Sequence, residues 1–87
     1  MIKVFMVDEY TWYAAETQAE ALRAAMEDTG LTEEEYDDVS GPMSDEAMEK
    51  FMFINDNGQV EHSFRKELDA MIARGEKFPC MFAATEG

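Results

Sequence analysis

The side chains that could do chemistry begin with an Asn-Asp-Asn-Gly stretch at residues 55–58. This stretch has the composition of part of a calcium loop. In an EF-hand with Gly58 at its sixth position, however, Phe53 would take the first ligand position and Phe64 the twelfth. Phenylalanine has no oxygen ligand, and both positions need a carboxylate. The pattern therefore favours a hairpin turn over a calcium site.

His62 and Cys80 are the only histidine and the only cysteine of the chain. They would form a nucleophile and a base only if their strands paired. Cys80 lies in an apolar run, residues 78–82, where a cysteine usually packs as a small hydrophobe. With one histidine, a zinc site would need three carboxylates or a ligand from another molecule. No glycine-rich phosphate loop, nucleophile elbow or HExxH motif is present, so the sequence predicts neither an enzyme nor a bound cofactor.

The carboxylates are concentrated in residues 27–49, which we call the acidic segment. It contains ten acidic residues and no basic residue. Residues 1–26 contain four acidic and two basic residues, and residues 50–87 contain six acidic and five basic residues. The spacing of these acids matches no metal loop, and adjacent acids on a helix point in different directions. We therefore predict non-specific cation association and no dedicated metal site. The ten acids are Glu27, Asp28, Glu33, Glu34, Glu35, Asp37, Asp38, Asp45, Glu46 and Glu49.

The elements before this segment are a strand and a helix. Residues 2–7 are apolar and β-branched and residues 10–14 are aromatic, which indicates a first strand that either bends at residues 8–9 or turns there into a hairpin. Thr17 and Glu20 form a capping box that opens a helix, and Gly30 ends it.

The acidic segment itself predicts two short helices. Thr32 and Glu35 form a second capping box, and the Ser-Gly-Pro turn at residues 40–42 stops the helix that it opens. Ser44 caps the next helix, which has acidic residues in its first turn, where the helix dipole favours them.

The sequence of the second half predicts a hairpin over residues 51–62 and a helix that Ser63 caps and Gly75 ends. A last strand follows over residues 78–83, and Pro79 indicates that this strand begins there or lies at an edge. The whole is one α+β domain of 87 residues. We expect a small antiparallel sheet with two main helices on one face, in the ferredoxin-like βαββαβ order, and an acidic helical insertion.

Tyr36 is the aromatic residue inside the acidic segment. It would either fill the core beneath the acidic helix, the favoured interpretation, or stand among the acids as an interface anchor. We therefore keep it in the candidate partner-binding set. Among the methionines, Met26, Met52, Met71 and Met81 are predicted to fill the core, and Met43 and Met48 to belong to a contact surface.

The net charge of −13 indicates a positively charged partner. Duplex DNA presents one negative charge per ~1.7 Å of its axis, and its protein partners bind this array through lysine and arginine. Acidic residues three or four positions apart on a helix have their Cβ atoms ~5–6 Å from one another, a spacing that rows of basic side chains can also meet. The hypothesis is thus that the acidic segment imitates a strip of phosphates. The alternatives are a solvated surface, an acidic proteome adapted to salt, and an adaptor that binds through its sheet or a strand edge.

The N-terminus lacks the apolar stretch of a signal peptide, and no run approaches the ~18 apolar residues of a membrane span. The single cysteine suits a reducing compartment. We expect a cytoplasmic protein that binds neither membranes nor nucleic acid directly, and whose sequence is compatible with a homodimer.

The layout resembles the small acidic proteins of phages and prophages, and in particular the anti-CRISPR proteins. The resemblance lies in the size, the charge, the lack of catalytic motifs, the short strand with Thr-Trp-Tyr-Ala-Ala at residues 11–15 before a capped helix, and Lys-Phe-Pro-Cys-Met-Phe at residues 77–82. It implies a stoichiometric inhibitor that occupies the DNA- or guide-binding surface of a Cas effector subunit. Phage inhibitors of other nucleic-acid-binding proteins have the same layout.

Overall fold

The computed structural model describes residues 1–8, 10–32, 34, 36, 39, 41–54 and 57–84. Their contacts divide the chain into two compact units. The first unit comprises residues 1–43 and 77–87, and the second comprises residues 44–76. Each unit is described by itself, and the single 87-residue domain stays a prediction.

The first unit contains a three-stranded antiparallel sheet. Its strands are β1 (Lys3–Asp8), β2 (Thr11–Ala15) and β5 (Cys80–Ala84), in the spatial order β1-β2-β5. Phe5 lies opposite Tyr13, and Tyr13 lies opposite Met81. Of the two expectations for the start of the chain, the hairpin is therefore the one that forms.

Helix α1 (Gln18–Thr29) follows β2 and has both predicted caps. The Thr17 hydroxyl accepts a hydrogen bond from the Glu20 amide at 3.2 Å. At the other end Gly30 adopts a left-handed φ of 76°, and its amide donates to the Met26 carbonyl at 2.8 Å. A non-glycine residue would be strained at this φ, so the sequence fixes both ends of the helix.

The core of the first unit lies between α1 and one face of the sheet. Phe5 and Val7 lie on one face of β1, and Val4, which precedes Phe5, lies on the other, because side chains two residues apart share a face. Tyr13 and Ala15 of β2 lie on the same face of the sheet as Phe5 and Val7. Small residues on α1 allow it to approach the sheet closely. The buried residues of this cluster are Phe5, Val7, Tyr13, Ala15, Ala21, Ala24, Ala25 and Tyr36, and four further residues of the sheet, Val4, Trp12, Ala14 and Phe82, are also buried.

The second unit is a two-stranded hairpin with two helices, α2 (Asp45–Lys50) and α3 (Phe64–Ala73). The hairpin strands are β3 (Met52–Ile54) and β4 (Val60–Ser63). Ser63 caps α3 by accepting from the Lys66 amide at 3.2 Å. The Phe64 ring lies 5.0 Å from that of Phe53, between ring centroids, and 5.5 Å from that of Phe51. Leu68 and Met71 are buried one and two turns further along α3.

The α+β class is confirmed by these mixed helices and antiparallel sheets. The arrangement of strands differs from the single ferredoxin-like sheet that we expected, because the chain forms two sheets. The first predicted strand is a hairpin, so β2 has β1 on one side and β5 on the other, and β3 and β4 pair only with each other among the described residues. The acidic helix predicted after Thr32 lies mostly outside the described residues.

Neither α1, α2 nor α3 combines the length and the apolar composition that crossing a bilayer requires, within the described ranges.

Candidate partner-binding surface

Six of the ten acids of the acidic segment lie in the described part of the chain, and all six are exposed. They divide between the units: three belong to the first and three to the second. Those of the first unit are Glu27, Asp28 and Glu34, and those of the second are Asp45, Glu46 and Glu49. The remaining four, Glu33, Glu35, Asp37 and Asp38, lie outside the described residues.

Glu27 and Asp28 occupy the last turn of α1, which has no basic residue. The C-terminal end of a helix carries a partial negative charge, so a carboxylate there is unfavourable by about 0.3–1 kcal/mol when it is exposed. These two charges therefore do not stabilise the helix that carries them.

Asp28 is held by a buried tyrosine. The Tyr13 hydroxyl donates a hydrogen bond to Oδ2 of Asp28 at 2.7 Å, while the Tyr13 side chain is only 2% exposed. Burial first, and then this hydrogen bond and the nearby negative charge, raise the pKa of Tyr13 well above its usual value. The proton therefore stays on the tyrosine, which acts as a fixed donor to the carboxylate.

Tyr36 belongs to the core, as the favoured interpretation expected. It is 6% exposed and packs in the cluster between α1 and the sheet. Its hydroxyl lies 2.6 Å from that of Thr29, which donates to the Ala25 carbonyl at 2.8 Å. The alternative reading as a surface anchor is corrected, because a side chain so deeply buried cannot meet a partner.

The chain after α1, which belongs to the first unit, contacts α1 and β1 at three further points. Gln18 donates to the Val39 carbonyl at 3.5 Å, and the Met43 amide donates to the Val4 carbonyl at 2.8 Å. Gly41 packs so closely on Phe5 that an added Cβ would lie 3.2 Å from the Phe5 Cα. Val39, Gly41 and Met43 thus contact α1 or β1.

The acids of the second unit are partly neutralised. Arg65 forms an ion pair with Asp45 at 2.7 Å, and Lys50 forms one with Glu46 at the same distance. Within the described part of the chain, every Lys or Arg ion pair lies in the second unit. Of the six described acids of the acidic segment, Glu27, Asp28, Glu34 and Glu49 therefore have no ion pair with a lysine or arginine among the described residues.

His62 and Cys80 lie in different units. Nε2 of His62 is 2.7 Å from Oε1 of Glu67, whose other oxygen is 3.5 Å from Arg74. The His62 ring stacks on Phe53 with 5.3 Å between centroids. These contacts tie β4 to α3, which is a structural role. The described residues contain no group of three or more His, Cys, Asp or Glu arranged to hold a metal ion.

Tyr13 and Thr29 hold Asp28 and Tyr36 through hydrogen bonds of their hydroxyl groups, a role that we did not predict from the sequence. Tyr13 lies in the aromatic stretch predicted as part of the first strand or hairpin, and Thr29 directly precedes Gly30, the residue predicted to end the helix. The signal for Tyr13 is its polar tip within a buried run, because a buried tyrosine hydroxyl needs a hydrogen-bond partner. The sequence alone does not identify Asp28 as this partner.

No protein-family model matches the chain, and neither a curated protein nor a solved structure resembles it significantly.

Proposed function

We propose that the protein is a non-enzymatic, stoichiometric inhibitor of the anti-CRISPR type, whose acidic segment occupies a basic nucleic-acid-binding surface of a Cas effector. The observation that carries this proposal is that residues 27–49 contain ten acidic residues and no basic one. All six of these acids that the structure describes are exposed. Such an array matches the lysine- and arginine-rich groove that would otherwise bind phosphates.

The distribution of charge supports the first unit as the main contact. That unit contains twelve acidic and three basic residues, and the second unit contains eight and four. The ion pairs of Asp45 and Glu46 further reduce the unpaired negative charge of the second unit. Salt screens the attraction between exposed charges beyond ~8 Å at physiological ionic strength. Association with a basic surface is therefore fast at low salt and weakens as the salt concentration rises.

Two measurements test the proposal. The tagged protein is used to capture CRISPR effector complexes from cells that express them, with washes at low and high salt. Purified effector carrying fluorescent target DNA is then titrated with the protein, and release of DNA is followed by anisotropy. Release of DNA at stoichiometric protein, lost at high salt, supports mimicry. An effector that binds the protein and keeps its DNA refutes it.

Neutral variants locate the contact. The test variant replaces four acids of the segment: Glu33→Gln, Glu34→Gln, Asp37→Asn and Asp38→Asn. The control replaces four acids outside it, which are exposed in the structure: Glu16→Gln, Glu61→Gln, Asp69→Asn and Glu76→Gln. Both variants have a net charge of −9, since each loses four of the charges that give −13. Equal loss of inhibition in both would show that total charge, and not the acidic segment, matters.

A second candidate function is an adaptor that binds a host protein through its sheet. The outer face of the β3–β4 hairpin supports it, because Met52, Ile54 and Val60 are exposed there while Phe53 faces Phe64. Binding of this kind is insensitive to salt, and Ile54→Lys abolishes it. Under the inhibitor proposal the same substitution leaves DNA release unchanged.

A further inference from the structure

The outer face of the β3–β4 hairpin is apolar and exposed. Met52, Ile54 and Val60 are 42%, 63% and 63% exposed, and Ile54 lies directly opposite Val60 in the ladder. Hydrophobic residues that are exposed singly are common on any protein surface. Residues directly opposite in two antiparallel strands, however, have their Cβ atoms ~4.5–5.5 Å apart, so these side chains form one contiguous apolar surface.

The opposite face of the hairpin is covered by α3. Phe53 packs there against Phe64, and Nε2 of His62 lies 2.7 Å from Oε1 of Glu67. A sheet of two short strands is marginally stable by itself and gains stability when another layer covers an apolar face. Burial of the outer face would therefore stabilise the hairpin further.

The charge near this face fits a second copy of the chain. Residues 50–54 and 57–60 contain one lysine and no acidic residue, although the chain has 20 acidic residues. Two copies with a net charge of −13 each repel one another, so they can approach closely only through a surface that is poor in acids. A basic partner would find its charge complement in the acidic segment instead, whereas two neutral apolar faces match each other.

We propose that two copies of the chain form a homodimer through the outer face of the β3–β4 hairpin, with Met52, Ile54 and Val60 of each copy buried against those of the other. A two-fold interface uses the same surface of both copies, which a neutral apolar face allows. A standard interface has about 20–30 residues a side, so this smaller one gives a weak dimer that forms at high protein concentration. The inference goes beyond the proposed function and does not depend on it.

Sedimentation equilibrium over a series of protein concentrations, at low and at high sodium chloride, measures the dimer. We expect a monomer–dimer equilibrium that shifts towards the dimer as salt rises, because salt screens the repulsion between the two negative chains. Binding of a basic partner has the opposite salt dependence. A dimer that dissociates as salt rises would overturn the inference. So would a chain that stays monomeric throughout, which would leave the face to the host protein of the second candidate function.

Ile54→Lys is the test variant and Leu31→Lys is its control. Leu31 is a 43% exposed residue of the first unit, so each variant loses one exposed hydrophobic residue and adds one positive charge to the net −13. We expect Ile54→Lys to weaken the dimer at least about tenfold, because it places a charge in the apolar face of both copies. Leu31→Lys should dimerise at least as well as the parent. Equal dimerisation by the two variants would show that the hairpin face is not the contact.

Milder variants separate the interface from effects on folding. Val60→Thr keeps the shape of the side chain, and it should weaken the dimer several-fold because a hydroxyl replaces a buried methyl group in both copies. Glu61→Gln removes an exposed acid next to Val60, and it should strengthen the dimer more than Glu16→Gln, which removes an exposed acid of the first unit. Circular dichroism confirms that each variant is folded.

If Val60→Thr dimerises like the parent, and the two glutamine variants have equal effects, the inference is refuted. These measurements contain no Cas effector. The proposed inhibitor function is therefore judged by DNA release alone, and the failure of one proposal is distinguishable from the failure of the other.

Discussion

Replacing Gly41 with alanine tests how the chain after α1 is packed on β1. A methyl group at this position would overlap Cδ2 of the Phe5 ring, and it would lie 3.0 Å from Cγ and 3.2 Å from Cα of the same residue. Rotation of the ring relieves the first contact and not the last, which is to the backbone. Phe5 is 3% exposed and has core neighbours on the α1 side of the sheet, so the ring has little room to move.

Overpacking a well-filled core costs about 1–3 kcal/mol. Replacing a glycine also reduces the entropy of the unfolded chain, which offsets about 0.4–1 kcal/mol of this cost. We therefore expect Gly41→Ala to lower the free energy of unfolding by about 1–2 kcal/mol. The measurement is urea unfolding followed by the fluorescence of Trp12, which lies in β2 of the first unit and is the only tryptophan of the chain.

A double-mutant cycle with Phe5→Leu tests the cause. The smaller side chain makes room for the methyl group, so the alanine should cost less in the leucine background, with a coupling of at least about 0.5 kcal/mol. Gly30→Ala is the comparison, because Gly30 has open space around it and would be strained only by its φ of 76°. A Gly41→Ala protein as stable as the parent, or fully additive effects in the cycle, would refute the packing described for Phe5.

Three further predictions concern the core, a helix cap and pH. Leu68→Ala should destabilise the second unit by about 2–5 kcal/mol, since it empties a buried site on α3; urea unfolding followed by circular dichroism measures this, and a loss below 1 kcal/mol would contradict it. Ser63→Ala should cost about 0.5–2 kcal/mol and speed hydrogen exchange at the Lys66 amide, which then lacks its acceptor; unchanged exchange would show that the cap is not formed. The raised pKa of Tyr13 means that the unfolded chain gives up this proton first, so stability present below about pH 10 is lost as the pH rises beyond it. The free energy of unfolding should therefore decline less steeply between about pH 9 and 11 for Tyr13→Phe than for the parent. Parallel declines would contradict the burial and the hydrogen bond that raise the pKa of Tyr13.

Local signals in the sequence predicted most of the elements. Thr17, Ser44 and Ser63 all accept the hydrogen bonds expected of N-caps, because a cap depends on residues within one turn of it. The hairpin at residues 52–63 was equally readable from its turn. The α+β class, the capped helices and the second hairpin thus follow from short-range chemistry.

Pairings between distant residues could not be read in the same way. The separation of the strands into two sheets explains why Met52, expected in the core, is exposed opposite Ser63. Met48, expected on a contact surface beside the acids, is buried, because neighbouring residues of α2 point in different directions. Asp45 meets Arg65, twenty residues away, and no periodicity predicts such a pair.

The second unit interrupts the first in the chain, and this has a consequence for the order of folding. β5 must pair with β2 across the 64 residues that separate Ala15 from Cys80. The contacts within residues 44–76 are short in sequence, and local contacts form faster than distant ones. Once these 33 residues have condensed, the flexible chain that β5 must close is about half as long, which lowers the entropic cost of closure by about 0.6 kcal/mol. The sheet that carries Tyr13 is thus completed late, because β5 pairs with β2 only after the residues between them have folded.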